Sequence, residues 1–163
     1  LMDGPDAAHG IETCHKVTEW ALNTLFDELF EAGVDLRGTI LKPNMIVPGQ
    51  HSGQTASVDE VAERTVAVLK ATVPSAVPGI AFLSGGQSDE LATAHLNAMN
   101  AGNDLPWALT FSYGRALQAA ALSAWGGRPE QVPAAQAAFT HRAMMNLAAG
   151  NGRWGADLER QAA

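Results

Sequence analysis

The sequence predicts an α/β fold, three short parallel strands alternating with helices, which makes half of a barrel rather than a finished sheet. Three observations carry that prediction. Short stretches with apolar centres recur at 37–42, 79–84 and 107–112, the last two almost uniformly apolar, as in strands covered on both faces. Stretches with apolar residues at helical spacing separate them. The strand ends fall at Lys42, Ser84 and Ser112, 42 and 28 residues apart, which are lengths for strand–helix crossovers and hence for parallel pairing. Three parallel strands alone would leave exposed edges, which is why half of a barrel fits best.

Taken in order, Leu1 to Ala8 reads as a turn-like lead-in broken at Asp3-Gly4-Pro5. From about Ile11 a helix is expected on Ile11, Val17, Ala21, Leu25 and Leu29, stopped by Gly33. The strand Arg37–Lys42 follows, then a loop over Pro43–Ala56. Ser57-Val58-Asp59-Glu60 is a capping box, and Val61, Thr65, Val66 and Leu69 form the buried stripe of a helix closed by Pro74. A second strand, Gly79–Ser84, runs into Gly85-Gly86. The helix opened by Ser88 carries Leu91, His95, Ala98 and Met99 to near Gly102. The third strand, Trp107–Ser112, runs into Tyr113-Gly114-Arg115, and the next helix ends at Trp125 before Gly126-Gly127. Pro129 precedes an alanine-rich helix reaching about Ala149 and stopped by Gly150, while 151–163 show no pattern. The expected organisation is a half-barrel over 1–150 with a tail over 151–163.

A chain of 163 residues, 47% hydrophobic, fills one core. Its net charge of −7, with only Lys16, Lys42 and Lys70 as lysines, argues against a nucleic-acid or anionic-membrane surface. An anionic small molecule is still allowed, because a cleft can carry a local field opposite in sign to the whole. The single Cys14 fits a reducing cytoplasm, and no apolar run approaches the ~20 residues that span a bilayer. Leu1-Met2-Asp3-Gly4 reads like the interior of a longer protein, so a fragment is expected.

The three strand ends carry chemistry rather than packing residues, and parallel barrels place their active sites at such ends. Lys42 stops an apolar strand, and Pro43 keeps its backbone extended. A lysine there is expected to point into an active-site mouth. Either it is a neutral amine, activated by burial or a nearby cation, that attacks a ketone, or it holds an anion as a plain charge. Ser84-Gly85-Gly86 can turn backbone N–H groups toward a phosphate, aided by the helix start near Ser88. Ser112-Tyr113-Gly114-Arg115 offers further amides and a permanent cation. Each glycine turn could also be only a tight turn. His9, His15, His51, His95 and His141 lack metal-ligand spacing and read as surface or satisfied helix histidines. Cys14 reads as packing, and Ser112 has no hydrolase elbow around it.

Three blocks then carry a resemblance. Leu41-Lys42-Pro43-Asn44-Met45 with Pro48-Gly49, Phe82-Leu83-Ser84-Gly85-Gly86-Gln87-Ser88, and Pro106 through Gln118 occur in the order and spacing of class I fructose-bisphosphate aldolases, and Ala124-Trp125-Gly126-Gly127 is similar too. The likeness runs from about Cys14 to Gly152. It implies a (β/α)8 TIM barrel, of which this chain would be the C-terminal half. It also implies that Lys42 is the Schiff-base lysine and that Ser84, Gly85, Gly86, Ser112, Gly114 and Arg115 bind a substrate phosphate. The implied reaction is reversible cleavage of fructose 1,6-bisphosphate to dihydroxyacetone phosphate and glyceraldehyde 3-phosphate in glycolysis and gluconeogenesis. It would need no metal or other cofactor, in a cytoplasmic homotetramer that binds neither nucleic acid nor membrane.

The departures are specific. The family's acid/base glutamate would lie just upstream of Leu1, and its aspartate and further lysines on earlier strands. The segment Gly4–His9 looks longer than usual, and the family's terminal tyrosine has no counterpart, Tyr113 being the single tyrosine. The segment alone is therefore expected not to turn over. A sugar-phosphate-binding half-barrel without chemistry, or a scaffold, is the alternative. A pyridoxal-phosphate enzyme would also use a lysine, but no residue anchors the ring.

Overall fold

The computed structural model describes residues 6–102 and 104–161. The turn expected at Asp3-Gly4-Pro5 lies outside them. Helix α1 (Ile11–Glu31) is followed by β1 (Ile40–Leu41), α2 (Val58–Thr72), β2 (Gly79–Phe82), α3 (Asp89–Asn100), β3 (Ala108–Phe111), α4 (Arg115–Trp125), α5 (Val132–Gly150) and α6 (Ala156–Gln161). The strands form one parallel sheet in the order β1-β2-β3, with Ile40 opposite Gly79 and Gly79 opposite Ala108. The expected α/β half-barrel is what forms.

Side-chain alternation divides this sheet sharply. Leu41, Ile80, Phe82, Leu109 and Phe111 face the helices, and Ile80 and Phe82 are completely buried there. They meet Val61, Val68 and Leu69 of α2 and Ala92, Leu96 and Met99 of α3 in one core. Burying each of the larger side chains contributes roughly 1.5–3 kcal/mol. The opposite face does not match the expectation of two covered faces. Ile40 is 63% exposed, and Ala108 and Thr110 are exposed too. The strand residues on that side face open space within the described residues.

The first strand is shorter than expected. Arg37 and Gly38 belong to a 3-10 turn, Leu36–Gly38, because the Asp35 carboxylate accepts from the Arg37 N–H at 3.1 Å and from its guanidinium at 2.9 Å. Capture of that N–H removes it from any ladder. After Lys42 the chain turns into the core, where Met45, Ile46 and Val47 are buried between α1 and α2. Thr65 Oγ1 accepts from the Ile46 N–H at 2.9 Å, and Asn44 Nδ2 donates to Thr18 Oγ1 at 3.0 Å.

Helix ends follow their local signals. Ser57 Oγ accepts from the Glu60 N–H at 3.1 Å, but the Glu60 carboxylate receives Arg64 rather than returning to Ser57, so only half of the capping box forms. Gly126 ends α4 with a left-handed φ of 55°, a conformation glycine adopts without a Cβ penalty. The tail contains more order than its sequence pattern suggests. Glu159 of α6 accepts both terminal nitrogens of buried Arg142 (2.8 and 3.0 Å) and the Trp154 indole N–H (2.8 Å), and it lies 3.0 Å from His141 Nε2. That pairing seats the six-residue helix against α5.

Candidate active site

Parallel pairing in register brings the three strand ends to one rim. Beyond the assigned strands, the Leu83 N–H donates to the Pro43 carbonyl at 3.0 Å and the Ser112 N–H donates to the Phe82 carbonyl at 2.8 Å. Continuing the register places Lys42 in one row with Ala81 and Thr110. Alternation puts the Lys42 side chain on the open face with Ile40, away from Leu41. Lys42 is exposed. Its backbone root is fixed by the buried Pro43 and Met45–Val47, and its side chain stands on the open face of the sheet.

Ser84 is buried at the foot of the next turn. Gly85 and Gly86 both take left-handed φ, 57° and 81°, a succession that turns neighbouring N–H groups to one side and that L side chains resist. Among the described residues neither glycine N–H has an acceptor. The Ser84 carbonyl accepts from the Gln87 N–H (3.1 Å) and from Gln87 Nε2 (2.8 Å), and Gln50 Nε2 donates to the Gly86 carbonyl. The turn is thus held through its carbonyls while its amides stay available. Ser88 caps α3 by accepting from the Leu91 N–H at 3.3 Å.

At the third strand end, Ser112 is exposed, Gly114 supplies no side-chain cap to α4, and Arg115 is the first residue of that helix. Tyr113 faces the other way. It is buried, its hydroxyl donates to the Ala92 carbonyl at 3.0 Å, and burial pushes its ionisation well above the ordinary phenol range. It anchors β3 to α3 and serves as packing. Cys14 is also packing, buried with Sγ 3.9 Å from the Met45 carbonyl oxygen.

Sequence reasoning gave His95 no part in the turn, reading it as a surface or satisfied helix histidine. His95 Nδ1 lies 2.5 Å from Gln87 Oε1, and His95 is almost wholly buried, so it is not a surface histidine; its Nε2 has no partner among the described residues. Burial pushes the imidazole down to about 4. The available signal was a polar residue interrupting the apolar stripe Ala92, Leu96 and Met99 two turns after the Ser88 cap.

A family model described as "Glycolytic: Fructose-bisphosphate aldolase class-I" matches residues 1–163. The chain belongs to the class-I fructose-bisphosphate aldolase family. This aldolase-family chain is similar to the probable fructose-bisphosphate aldolase class 1 of Xanthomonas axonopodis pv. citri, 51% identical over 155 residues that make up 94% of this chain and 46% of that protein. It is similar to the non-muscle aldolase of Lethenteron camtschaticum, 51% identical over 151 residues, 92% of this chain and 42% of that one. A solved structure of the Plasmodium falciparum aldolase, in complex with TRAP and a small-molecule inhibitor, superposes with a TM-score of 0.89 at 46% identity. It covers 95% of this chain and 44% of that one. The fold is therefore the TIM-barrel aldolase fold, and this chain spans under half the length of these relatives.

Proposed function

We propose that this chain supplies the imine-forming lysine and the phosphate cradle of a metal-independent fructose-bisphosphate aldolase. The Lys42 amine attacks the substrate ketone, and the resulting carbinolamine loses water to give a protonated imine. The carbon–carbon bond beta to the imine carbon then breaks, and its electron pair passes into the imine to form an enamine. The proton of the C4 hydroxyl passes to a base, a role the resemblance gives to a glutamate upstream of Leu1. Ser84, Gly85 and Gly86 with Ser112, Gly114 and Arg115 grip the phosphate next to the ketone. What supports this reading is the common rim. One lysine and two glycine-bearing turns follow three adjacent parallel strands, and one turn presents two unpaired amides.

The working protein is read as cytoplasmic, supported by the cytosolic aldolase of Arabidopsis thaliana, 49% identical over 155 residues, 94% of this chain and 39% of that protein, and as a homotetramer, which the resemblance alone implies. Among the described residues no helix is long and apolar enough to cross a membrane. Borohydride reduction in the presence of dihydroxyacetone phosphate, on the protein that carries these residues, tests the proposal. The expected label is on Lys42, and a label elsewhere overturns it. The exposure of Lys42 favours one second reading, a sugar-phosphate-binding module without chemistry. In that case binding survives Lys42→Ala, and no label forms.

A further inference from the structure

The Ser84–Gly86 turn is braced from behind by a two-residue relay. The Ser84 carbonyl oxygen only accepts, so the Gln87 group 2.8 Å from it must be the amide nitrogen. That assignment leaves Gln87 Oε1 facing His95 Nδ1, and an amide oxygen only accepts. His95 must therefore carry its proton on Nδ1, with Nε2 as the unprotonated nitrogen. The orphaned Nε2 agrees with this: it is buried without a partner among the described residues, and as the unprotonated nitrogen it leaves a lone pair rather than an N–H unsatisfied. A cavity of about 380 Å³ beside the turn counts residues 85–88 and His95 in its lining, with both apolar (Val47, Leu91) and polar (Gln50, Gln54) side chains around them.

The effect reaches the anion side through the peptide plane. In a trans peptide the C=O and the following N–H point in opposite directions, and the described residues contain no cis bond. Whatever holds the Ser84 carbonyl inward holds the Gly85 N–H outward.

We propose that His95 is a positioning residue for this turn: through Gln87 it holds the Ser84 carbonyl and so aims the Gly85 amide at the bound phosphate. The inference rests on the reading of Ser84–Gly86 as a phosphate cradle. Without the imidazole donor, the Gln87 amide can rotate, the Ser84 carbonyl loses one of its two donors, and the Gly85–Gly86 amides lose their fixed direction. Burial keeps the imidazole neutral, which suits a relay whose direction depends on one proton.

The test uses the protein that carries this chain, with inorganic phosphate and dihydroxyacetone phosphate as probes. His95→Leu keeps the volume and removes the donor. It is expected to weaken both probes about tenfold, the equivalent of one lost hydrogen bond, while the rate of borohydride trapping at saturating probe stays unchanged. His95→Asn places an amide nitrogen where Nδ1 was and should restore affinity to within about twofold. Nitrogen-15 shifts of the unmodified protein should show the Nδ1–H tautomer, a readout that does not depend on any variant folding. An Nε2–H tautomer, or a His95→Leu protein with unaltered affinity, overturns the inference and leaves the cradle standing. Unmodified protein that binds neither probe removes the cradle and the inference with it.

Discussion

Gly49 passes so close to Ala7 that a β-carbon built on it would lie 2.2 Å from the Ala7 carbonyl oxygen and 2.6 Å from the carbonyl carbon. Both are backbone atoms and cannot rotate away. Two hydrogen bonds lock the crossing, Gly49 N–H to the His9 carbonyl at 2.9 Å and His51 N–H to the Ala7 carbonyl at 2.8 Å. Gly49→Ala is therefore expected to cost about 2–3 kcal/mol, the upper part of the range for overpacking. The midpoint of urea unfolding should fall accordingly. Gly38→Ala, where a β-carbon meets nothing within 4 Å, should behave nearly like the unmodified protein.

Arg142 is 5% exposed, and its strongest partner is Glu159. Glu159→Ala leaves the guanidinium with Asp89, 3.6 Å from its Nε, and with Thr93 Oγ1 at 3.2 Å. The expected loss is about 3 kcal/mol, because an underpaired buried charge costs more than the pair gained. Arg142→Met combined with Glu159→Leu should lose less than Glu159→Ala alone. A double-mutant cycle in urea measures both.

The same carboxylate has a pH signature. Burial alone would raise Glu159, but the hydrogen bonds from Arg142, Trp154 and His141 outweigh it and hold the group below its ordinary range. A folded value below the unfolded one means the stabilisation is complete above the unfolded value and is lost as pH falls through the folded one. Glu159→Gln should flatten this acid limb of stability against pH.

His95 acts in a different window. It titrates near 6.5 when unfolded and about 4 when folded. Above pH 6.5 both states are neutral and nothing is lost. Between 6.5 and 4 only the unfolded chain takes up the proton, so stability declines by something on the order of 3 kcal/mol and then levels off. The difference between unmodified protein and His95→Leu across that range isolates the contribution.

Arg115 is exposed, so Arg115→Ala should weaken binding of dihydroxyacetone phosphate by about 1.5–3 kcal/mol, the scale of a hydrogen bond to a charged group. Borohydride labelling of Lys42 should persist at raised substrate concentration. Isothermal titration with the variant reads the loss directly, and unchanged affinity would take Arg115 out of the cradle.

What the sequence disclosed and what it hid divide along a physical line. Features set within a few residues were legible. Ser57 and Ser88 announce helix starts, Gly33 and Gly126 announce stops, and Gly85-Gly86 announces a turn only glycines make easily. The three strand ends were legible because parallel crossovers have characteristic lengths. Features set by distant partners were not. Helix α6 exists because Glu159 reaches Arg142, a contact six residues of sequence cannot advertise. The strand written from Arg37 shrank to Ile40–Leu41 because the Asp35 side chain outcompeted a neighbour strand. His95 reads as an ordinary helix residue until α3 is laid beside the Ser84 turn. What surrounds the Lys42 amine on the open face is likewise set by partners distant in sequence, which the strand end alone does not name.

The outer borders of the sheet have a practical outcome for anyone handling these 163 residues in isolation. Among the described residues β1 and β3 each pair on one side only, and the wall they share shows Ile40 and Ala108 to solvent. Such a rim acts as a template, hydrogen-bonding whichever extended backbone arrives first. Its behaviour at high concentration should be governed by self-adhesion along those borders, well before the interior loosens.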